Sequence, residues 1–145
     1  MAITVLALDL EGTLISNAMS QVPRPGLFAF LESCRELFPR VVMFTTVEEA
    51  KFRSIANLLV KEGVAPDWFS HIEYIKWTGN KKDLSFISGT EVKNVLLVDD
   101  FEGYIHPDQT AQWIKIELFD YPYSDSDMGL ASVMHALRDR LDRDL

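Results

Sequence analysis

The sequence predicts a three-layer α/β fold, a Rossmann-like domain built on a mostly parallel central sheet. Nearly continuous apolar runs occur at Ile3–Leu8, Val41–Phe44 and Val95–Val98, and this pattern is typical of strands buried on both faces. Helix-length segments separate these runs, and strands that alternate with helices form βαβ units with parallel pairing. No repeat, linker or shift in composition divides the chain, so residues 1–145 are expected to form one domain.

The first half of the chain is expected to fold as strand, helix, strand and helix. After the first strand, Pro25-Gly26 favours a helix start and Pro39 ends that helix. Between them, apolar residues recur at helical spacing: Leu27, Phe28, Phe30, Leu31, Cys34 and Leu37. The segment Val47–Glu62 follows the second strand, has apolar residues on one face and is followed by Gly63, a typical helix stop.

The second half is expected to supply three more strands. β-branched and aromatic residues favour a strand at Phe69–Trp77, and the segment Gly129–Leu141 is amphipathic, as expected for a helix that packs on the sheet. In chain order the predicted elements are a strand at Phe69–Trp77, a short helix at Lys82–Ile87, strands at Val95–Val98 and Trp113–Leu118, and a helix at Gly129–Leu141.

Composition restricts the function classes. Hydrophobic residues form 48% of the 145 residues and charged residues 25%, which are values of ordinary globular proteins. With 14 basic and 22 acidic residues the net charge is −8, which argues against nucleic-acid or anionic-membrane partners. The longest apolar opening is too short for a membrane span and has no basic region before it. A cytoplasmic location is therefore expected, and the single cysteine, Cys34, agrees with a reducing compartment.

Polar residues follow the apolar runs at three separate places. Asp9 and Glu11 come after the first run, Thr45 after the second, and Asp99 with Asp100 after the fourth predicted strand. Ligands of open α/β sheets bind at the carboxyl ends of the strands, so these side chains are expected to converge there. Clustered carboxylates need a cation, and a ligand set of oxygen atoms favours Mg²⁺.

Such a site has the parts of a phosphoryl-transfer centre. Asp9 could be phosphorylated as a nucleophile, while Glu11 could act as general acid and then general base. Thr45, ahead of a helix, could bind a phosphoryl oxygen. A lysine is also needed to offset the anionic charge, and the candidates that precede the fourth strand are Lys76, Lys81 and Lys82.

The motifs resemble those of the haloacid dehalogenase superfamily. Leu8–Leu14 (LDLEGTL) resembles its first motif, Val41–Thr46 (VVMFTT) its second and Val95–Asp100 (VLLVDD) its fourth. The closer resemblance is to its capless branch of NLI-interacting-factor-like and RNA polymerase II carboxy-terminal-domain phosphatases. Arg24–Leu27 (RPGL) and Lys82–Ser85 (KDLS) are similar to segments of that branch.

The resemblance implies a role for each candidate residue. Asp9 would be the nucleophile, Glu11 the acid and base, and Lys82, favoured over Lys81 by its Asp-Leu-Ser context, the neutralising lysine. Thr45 and Thr46 would bind the phosphoryl group together with Lys82. Mg²⁺ would be held by a set of four acidic residues: Asp9, Glu11, Asp99 and Asp100.

Too few residues separate the motifs to hold a cap domain; Leu14–Pro23 could form a short flap. An open site favours a substrate that covers it, so a phosphoprotein and a small phosphate ester both remain candidates. Glu11 stands where family members usually have Asp, and a catalytically weak or inactive phosphate- or protein-binding module is the alternative. A phospho-receiver domain is disfavoured because the acidic pair of receivers follows their first strand, whereas Asp99 and Asp100 follow the fourth predicted strand of this chain. The oligomeric state is left open.

Overall fold

The computed structural model describes residues 2–143 and contains a five-stranded sheet. Every neighbouring pair of strands is parallel, and the spatial order is β3-β2-β1-β4-β5. This confirms the predicted α/β class and its parallel sheet. The strands are β1 (Val5–Leu8), β2 (Arg40–Met43), β3 (Glu73–Tyr74), β4 (Val95–Asp99) and β5 (Trp113–Lys115).

Three α-helices cover one face of the sheet. They are α1 (Leu27–Leu37), α2 (Glu49–Lys61) and α3 (Gly129–Arg143). Their buried residues form one core with Leu6, Leu8, Leu96 and Val98, which are alternate residues of the two central strands. Every second residue of a strand lies on the same face of the sheet, so packing against the helices explains why these alternate positions of each run are apolar.

The opposite face is covered by short 3₁₀ helices and loops. Val5, Ala7 and Leu97 point to this side and pack in a second core with residues such as Leu84 and Ile105. Because both faces of β1 and β4 are covered, all of their residues are buried, which explains why the two strands are continuous apolar runs in the sequence.

The third predicted strand, Phe69–Trp77, is wrong over most of its length. Residues Asp67–His71 form a 3₁₀ helix, and only Glu73–Tyr74 pair with β2. Part of the apolar signal comes from Phe69, whose ring packs edge-on against Phe52 of α2 at 5.7 Å between centroids. Burial under a helix therefore contributed to the pattern that we interpreted as a strand.

Two other elements are shorter than predicted. The strand expected at Trp113–Leu118 ends at Lys115, because β5 is an edge strand that pairs only over the last residues of β4. The helix expected at Lys82–Ile87 is a single 3₁₀ turn, Leu84–Phe86. Asp83 caps this turn by accepting a hydrogen bond from the N–H of Ser85 at 2.9 Å.

The predicted flap, Leu14–Pro23, folds back on the end of β1. Ile15 forms isolated bridges with Glu11 and with Pro23, and its side chain is buried. Within residues 2–143 the segments between the motifs form single helices, short 3₁₀ turns, short strands and loops. The same residues contain no helix that is long and apolar enough to cross a bilayer.

Candidate active site

Asp9 and Asp99 lie side by side because β1 and β4 are neighbouring parallel strands. Leu8 pairs with Val98, so both strands end at the same level. Asp99 is the last residue of β4, and the N–H of Asp9 donates to the carbonyl of Val98 at 3.0 Å. Both carboxylates are almost completely buried at this edge of the sheet.

Lys82 bridges these two carboxylates. Its Nζ lies 2.8 Å from Asp9 Oδ1 and 2.6 Å from Asp99 Oδ2, and its side chain is fully buried. The backbone N–H of Lys82 donates to the carbonyl of Tyr104 at 2.7 Å, and the ammonium lies 5.0 Å from the centroid of the Tyr104 ring. Two ion pairs and an aromatic face therefore hold the ammonium in one position.

Of the three candidate lysines, Lys82 is the one that contacts the carboxylates of Asp9 and Asp99. Lys81 donates from Nζ to the carbonyl of Gly103 at 2.7 Å. Lys76 is 85% exposed, and its Nζ lies 4.0 Å from a Glu49 carboxylate oxygen. Consecutive lysines on a loop point in different directions, which is why sequence context was needed to choose between Lys81 and Lys82.

Thr13 connects Asp9 to Asp100 and was missed as a site residue. Its Oγ1 donates to Asp9 Oδ2 at 2.8 Å and lies 3.2 Å from Asp100 Oδ1. The turn that presents Thr13 depends on Gly12, which has φ +76°. A Cβ at Gly12 would lie 2.9 Å from Asp100 Oδ2 and 2.6 Å from a methyl carbon of Leu118, so any other residue would displace these side chains and strain the left-handed backbone.

Burial and neighbouring charges raise the pKa values of two carboxyl groups. Burial and the charge of Asp9 raise the pKa of Asp99 to about 6, against the opposing effect of Lys82. Burial, a hydrogen bond with Asp9 and the charges of Asp9 and Asp99 raise the pKa of Asp100 to about 7. Burial alone would lower the pKa of Lys82, but the carboxylates of Asp9 and Asp99 outweigh it, so the ammonium stays charged.

The three aspartates fit a hard divalent cation. Asp9, Asp99 and Asp100 each offer one carboxylate oxygen, and these oxygens lie within 4.8 Å of one another. Two ligands of one Mg²⁺ ion are about 3 Å apart when adjacent and about 4 Å apart when opposite, as follows from octahedral geometry with bonds of about 2.1 Å. The spacing and the oxygen chemistry therefore suit Mg²⁺.

Glu11 lies outside this group of carboxylates. Its Oε2 accepts a hydrogen bond from the backbone N–H of Ala18, in the flap, at 2.6 Å. The Glu11 residue is partly exposed, whereas Asp9 is buried. The sequence suggested Glu11 both as a metal ligand and as an acid and base; this placement favours the second role over the first.

Thr45 and Thr46 follow β2, which lies on the other side of β1. The N–H of Phe44 donates to the carbonyl of Leu8 at 2.8 Å, so the chain after β2 reaches the same edge of the sheet as Asp9. Thr45 is buried, and its Oγ1 accepts from the N–H of Val47 at 3.1 Å. Thr46 is exposed and lines a groove beside Thr45.

Arg24 stabilises the turn after β1 through hydrogen bonds to its backbone, a role that the sequence did not indicate. Its side chain is fully buried, and its Nη1 donates to the carbonyls of Gly12 and Thr13 at 3.2 and 3.3 Å. Its Nε donates to Asp127 Oδ1 at 2.8 Å, and the same oxygen accepts from the N–H of Gly129 at the start of α3. In the sequence, Arg24 is recognisable only as part of a helix start.

A family model described as NLI interacting factor-like phosphatase matches residues 4–144. The match covers almost the whole chain and confirms the resemblance seen in the motifs. No curated protein matches the chain.

Proposed function

The chain belongs to the NLI interacting factor-like phosphatase family, and we propose that it is a Mg²⁺-dependent phosphatase that carries the phosphoryl group on Asp9. The observation that supports this proposal most is the contact of Lys82 with both Asp9 and Asp99 at the carboxyl edge of β1 and β4. Buried, paired charges at a strand end are typical of a reaction centre rather than of a solvated turn.

Asp9 is the nucleophile because its position is fixed while part of its carboxylate is free. Lys82 takes one bond at Oδ1 and Thr13 donates one at Oδ2. Each carboxylate oxygen has two lone-pair directions, so one direction is left on each oxygen, one for the metal and the other for attack. One Asp9 oxygen attacks phosphorus, the bond from phosphorus to the leaving oxygen breaks, and an aspartyl-phosphate forms.

Glu11 handles the proton in both steps. When protonated it gives its proton to the leaving oxygen, and its carboxylate then takes a proton from the water that attacks phosphorus. That attack releases inorganic phosphate and restores Asp9. The bond from Ala18 to Glu11 Oε2 fixes the carboxyl group against the flap and leaves Oε1 to carry the proton.

Asp9, Asp99 and Asp100 would hold Mg²⁺, which when bound neutralises charge on the phosphoryl oxygens. Lys82 offsets the charge of the carboxylates beside the nucleophile. Thr45 would bind a phosphoryl oxygen, together with backbone N–H groups of the segment that leads to α2. A phosphoprotein and a small phosphate ester are the two substrate classes that we propose.

The first experiment measures phenyl phosphate hydrolysis by purified protein between pH 5 and 8, with Mg²⁺ and with chelator. We expect metal-dependent turnover that Asp9→Asn abolishes, with an unchanged far-UV circular dichroism spectrum. Asp67→Asn is the matched control, since Asp67 is an exposed aspartate outside the site. A wild-type protein that is inert with Mg²⁺ throughout this range would contradict the proposal.

A second series tests the role of Glu11. Glu11→Asp should retain turnover and Glu11→Gln should lose most of it, because a glutamine side chain carries no transferable proton. If the wild type and both variants bind phosphate but none of them turns over substrate, the protein is a binding module instead.

A further inference from the structure

A groove of about 630 Å³ opens beside Thr45 and is far larger than a phosphoryl group needs. Thr45 and Thr46 line it, together with three aromatic side chains, Tyr74, Trp77 and Tyr104. Because Thr45 belongs to the proposed phosphoryl site, whatever group is attached to the phosphate can extend into this groove. The residues of the groove therefore bear on which leaving group the site accepts.

Trp77 and Tyr104 form an aromatic corner. Their ring centroids are 6.4 Å apart and their planes meet at 77°. A third ring that stacks on the face of one of them turns its edge to the face of the other, and both arrangements are favourable for aromatic pairs. An aliphatic chain gains contact area in such a corner but not this directional interaction.

The aromatic walls of the groove are held in place before any ligand binds. The indole N–H of Trp77 donates to the carbonyl of Thr45 at 2.8 Å, and its ring packs edge-on against Phe44. The hydroxyl group of Tyr74 donates to the carbonyl of Val47. Walls that are already ordered lose little conformational entropy when a ring binds.

Tyr104 connects the corner to the reaction centre. Its ring centroid lies 5.0 Å from Lys82 Nζ, and that atom lies 2.8 Å from Asp9 Oδ1. Tyr104 therefore borders both the groove and the ammonium that contacts the proposed nucleophile, so the corner lies beside the phosphoryl site, where a ring attached to the ester oxygen would be placed. Two carboxylates, those of Glu48 and Glu49, and one cation, Lys76, also line the groove, so its lining carries one net negative charge and disfavours a leaving group with a second anionic charge.

From these contacts we propose that the aromatic corner is the leaving-group subsite, and that it selects phosphate esters of aromatic alcohols over esters of small aliphatic alcohols. This inference rests on the proposed phosphatase function. It assigns Trp77 and Tyr104 to substrate specificity, which neither the strand-end motifs nor the family match does. The esters concerned carry negative charge only at the phosphate.

The test compares Trp77→Phe with Trp77→Leu on phenyl phosphate and on ethyl phosphate. Both variants lose the indole N–H that bonds Thr45, so the pair differs in the aromaticity and size of the side chain but not in this hydrogen bond. The difference in leaving-group reactivity between the two esters cancels when each ester is compared across the two variants. The measured quantity is kcat/KM at saturating Mg²⁺, with folding checked by circular dichroism.

On ethyl phosphate we expect the same kcat/KM for both variants. On phenyl phosphate Trp77→Leu should be about 2- to 12-fold lower than Trp77→Phe, the range that corresponds to one aromatic pair. Phenylphosphonate and ethylphosphonate as inhibitors repeat the comparison without bond cleavage, and the inhibition constant of the phenyl compound alone should rise in Trp77→Leu.

The outcomes separate the two proposals. If the wild type hydrolyses both esters and the two variants differ equally on each, the subsite is contradicted and the phosphatase function is not. A wild type that hydrolyses neither ester, with Mg²⁺ present, contradicts the proposed function and this inference together. A wild type that prefers ethyl phosphate also overturns the inference.

Discussion

Replacing Lys82 by Met should destabilise the metal-free protein strongly at alkaline pH. The substitution leaves Asp9 and Asp99 buried beside Asp100 without their ammonium partner. Removing one partner of a buried ion pair costs about 3–5 kcal/mol of unfolding free energy. For a chain of this length, such a loss lowers Tm by roughly 10–20 °C.

The pH dependence makes this prediction specific to the carboxylates. Without Lys82 the pKa of Asp99 should lie above the value of about 6 that it has beside the ammonium, while burial and the neighbouring aspartates raise the pKa of Asp100 to about 7. Protonation then removes the uncompensated charge, so the destabilisation by Lys82→Met should be largest at pH 8 and should shrink toward pH 5.5. Urea unfolding in chelator at these two pH values measures both free energies.

The control for Lys82→Met is Lys76→Met, at a site that is 85% exposed, and its effect should stay within about 0.5 kcal/mol. Mg²⁺ should restore part of the stability that Lys82→Met loses, since a bound cation replaces some of the missing positive charge. A loss below about 1 kcal/mol at pH 8, or a loss that does not depend on pH, would refute the assigned role of Lys82 in the site.

Four further outcomes follow from the same contacts. Asp127→Asn leaves the buried Arg24 guanidinium without its anion, so it should lower the free energy of unfolding by about 1.5–3 kcal/mol and also reduce kcat. Urea unfolding and steady-state kinetics measure these two effects, and an unchanged kcat would contradict the positioning of Thr13 by Arg24. Gly12→Ala should lower the free energy of unfolding by at least about 1–2 kcal/mol because the backbone is left-handed, and it should weaken Mg²⁺ binding because the new methyl group contacts Asp100. An unchanged Mg²⁺ Kd in a calorimetric titration would contradict the second effect. Burial, a hydrogen bond with Asp9 and nearby charges raise the pKa of Asp100 to about 7, so Mg²⁺ should release a proton when it binds at pH 6 and should bind more tightly at pH 8. Calorimetric titrations in two buffers of different ionisation enthalpy check the proton release, and equal heats of binding in the two buffers would argue against it. Inorganic phosphate should bind measurably only when Mg²⁺ is present, and equilibrium dialysis that finds equal binding with chelator would count against the charge balance of the site.

The central strands could be predicted because both of their faces are buried. In a chain with helix-length spacers, a continuous apolar run such as Val95–Val98 is typical of a strand covered on both sides. Edge elements gave weaker signals: the segment Phe69–Trp77 owes its apolar residues partly to packing under α2, and only Glu73–Tyr74 pair as a strand. Sequence pattern reports burial, and burial alone does not separate an edge strand from a 3₁₀ helix.

The candidate site was predictable where its residues follow strands, and not where distant segments meet. Asp9 and Asp99 could be expected together because parallel strands end at one edge of the sheet. Arg24 meets Asp127 across 103 residues of chain, and no local pattern predicts such a pair. Thr13 belongs to a recognised motif, yet its hydrogen bond to Asp9 depends on the turn geometry that Gly12 permits.

The charges at the strand ends explain why this site should bind metal before phosphate. Asp9, Asp99 and Asp100, when ionised, carry three negative charges, and Lys82 supplies one positive charge. A phosphate dianion that entered this environment would meet two uncompensated negative charges at short range and in a buried setting, where repulsion is strong. A divalent cation cancels those two charges. With a divalent cation held by the three aspartates the site would be neutral, and the Lys82 ammonium would still lie beside Asp9. Burial, together with the same charge imbalance, raises the pKa values of Asp99 and Asp100 in the metal-free protein, where protonation is the other way to remove the excess charge.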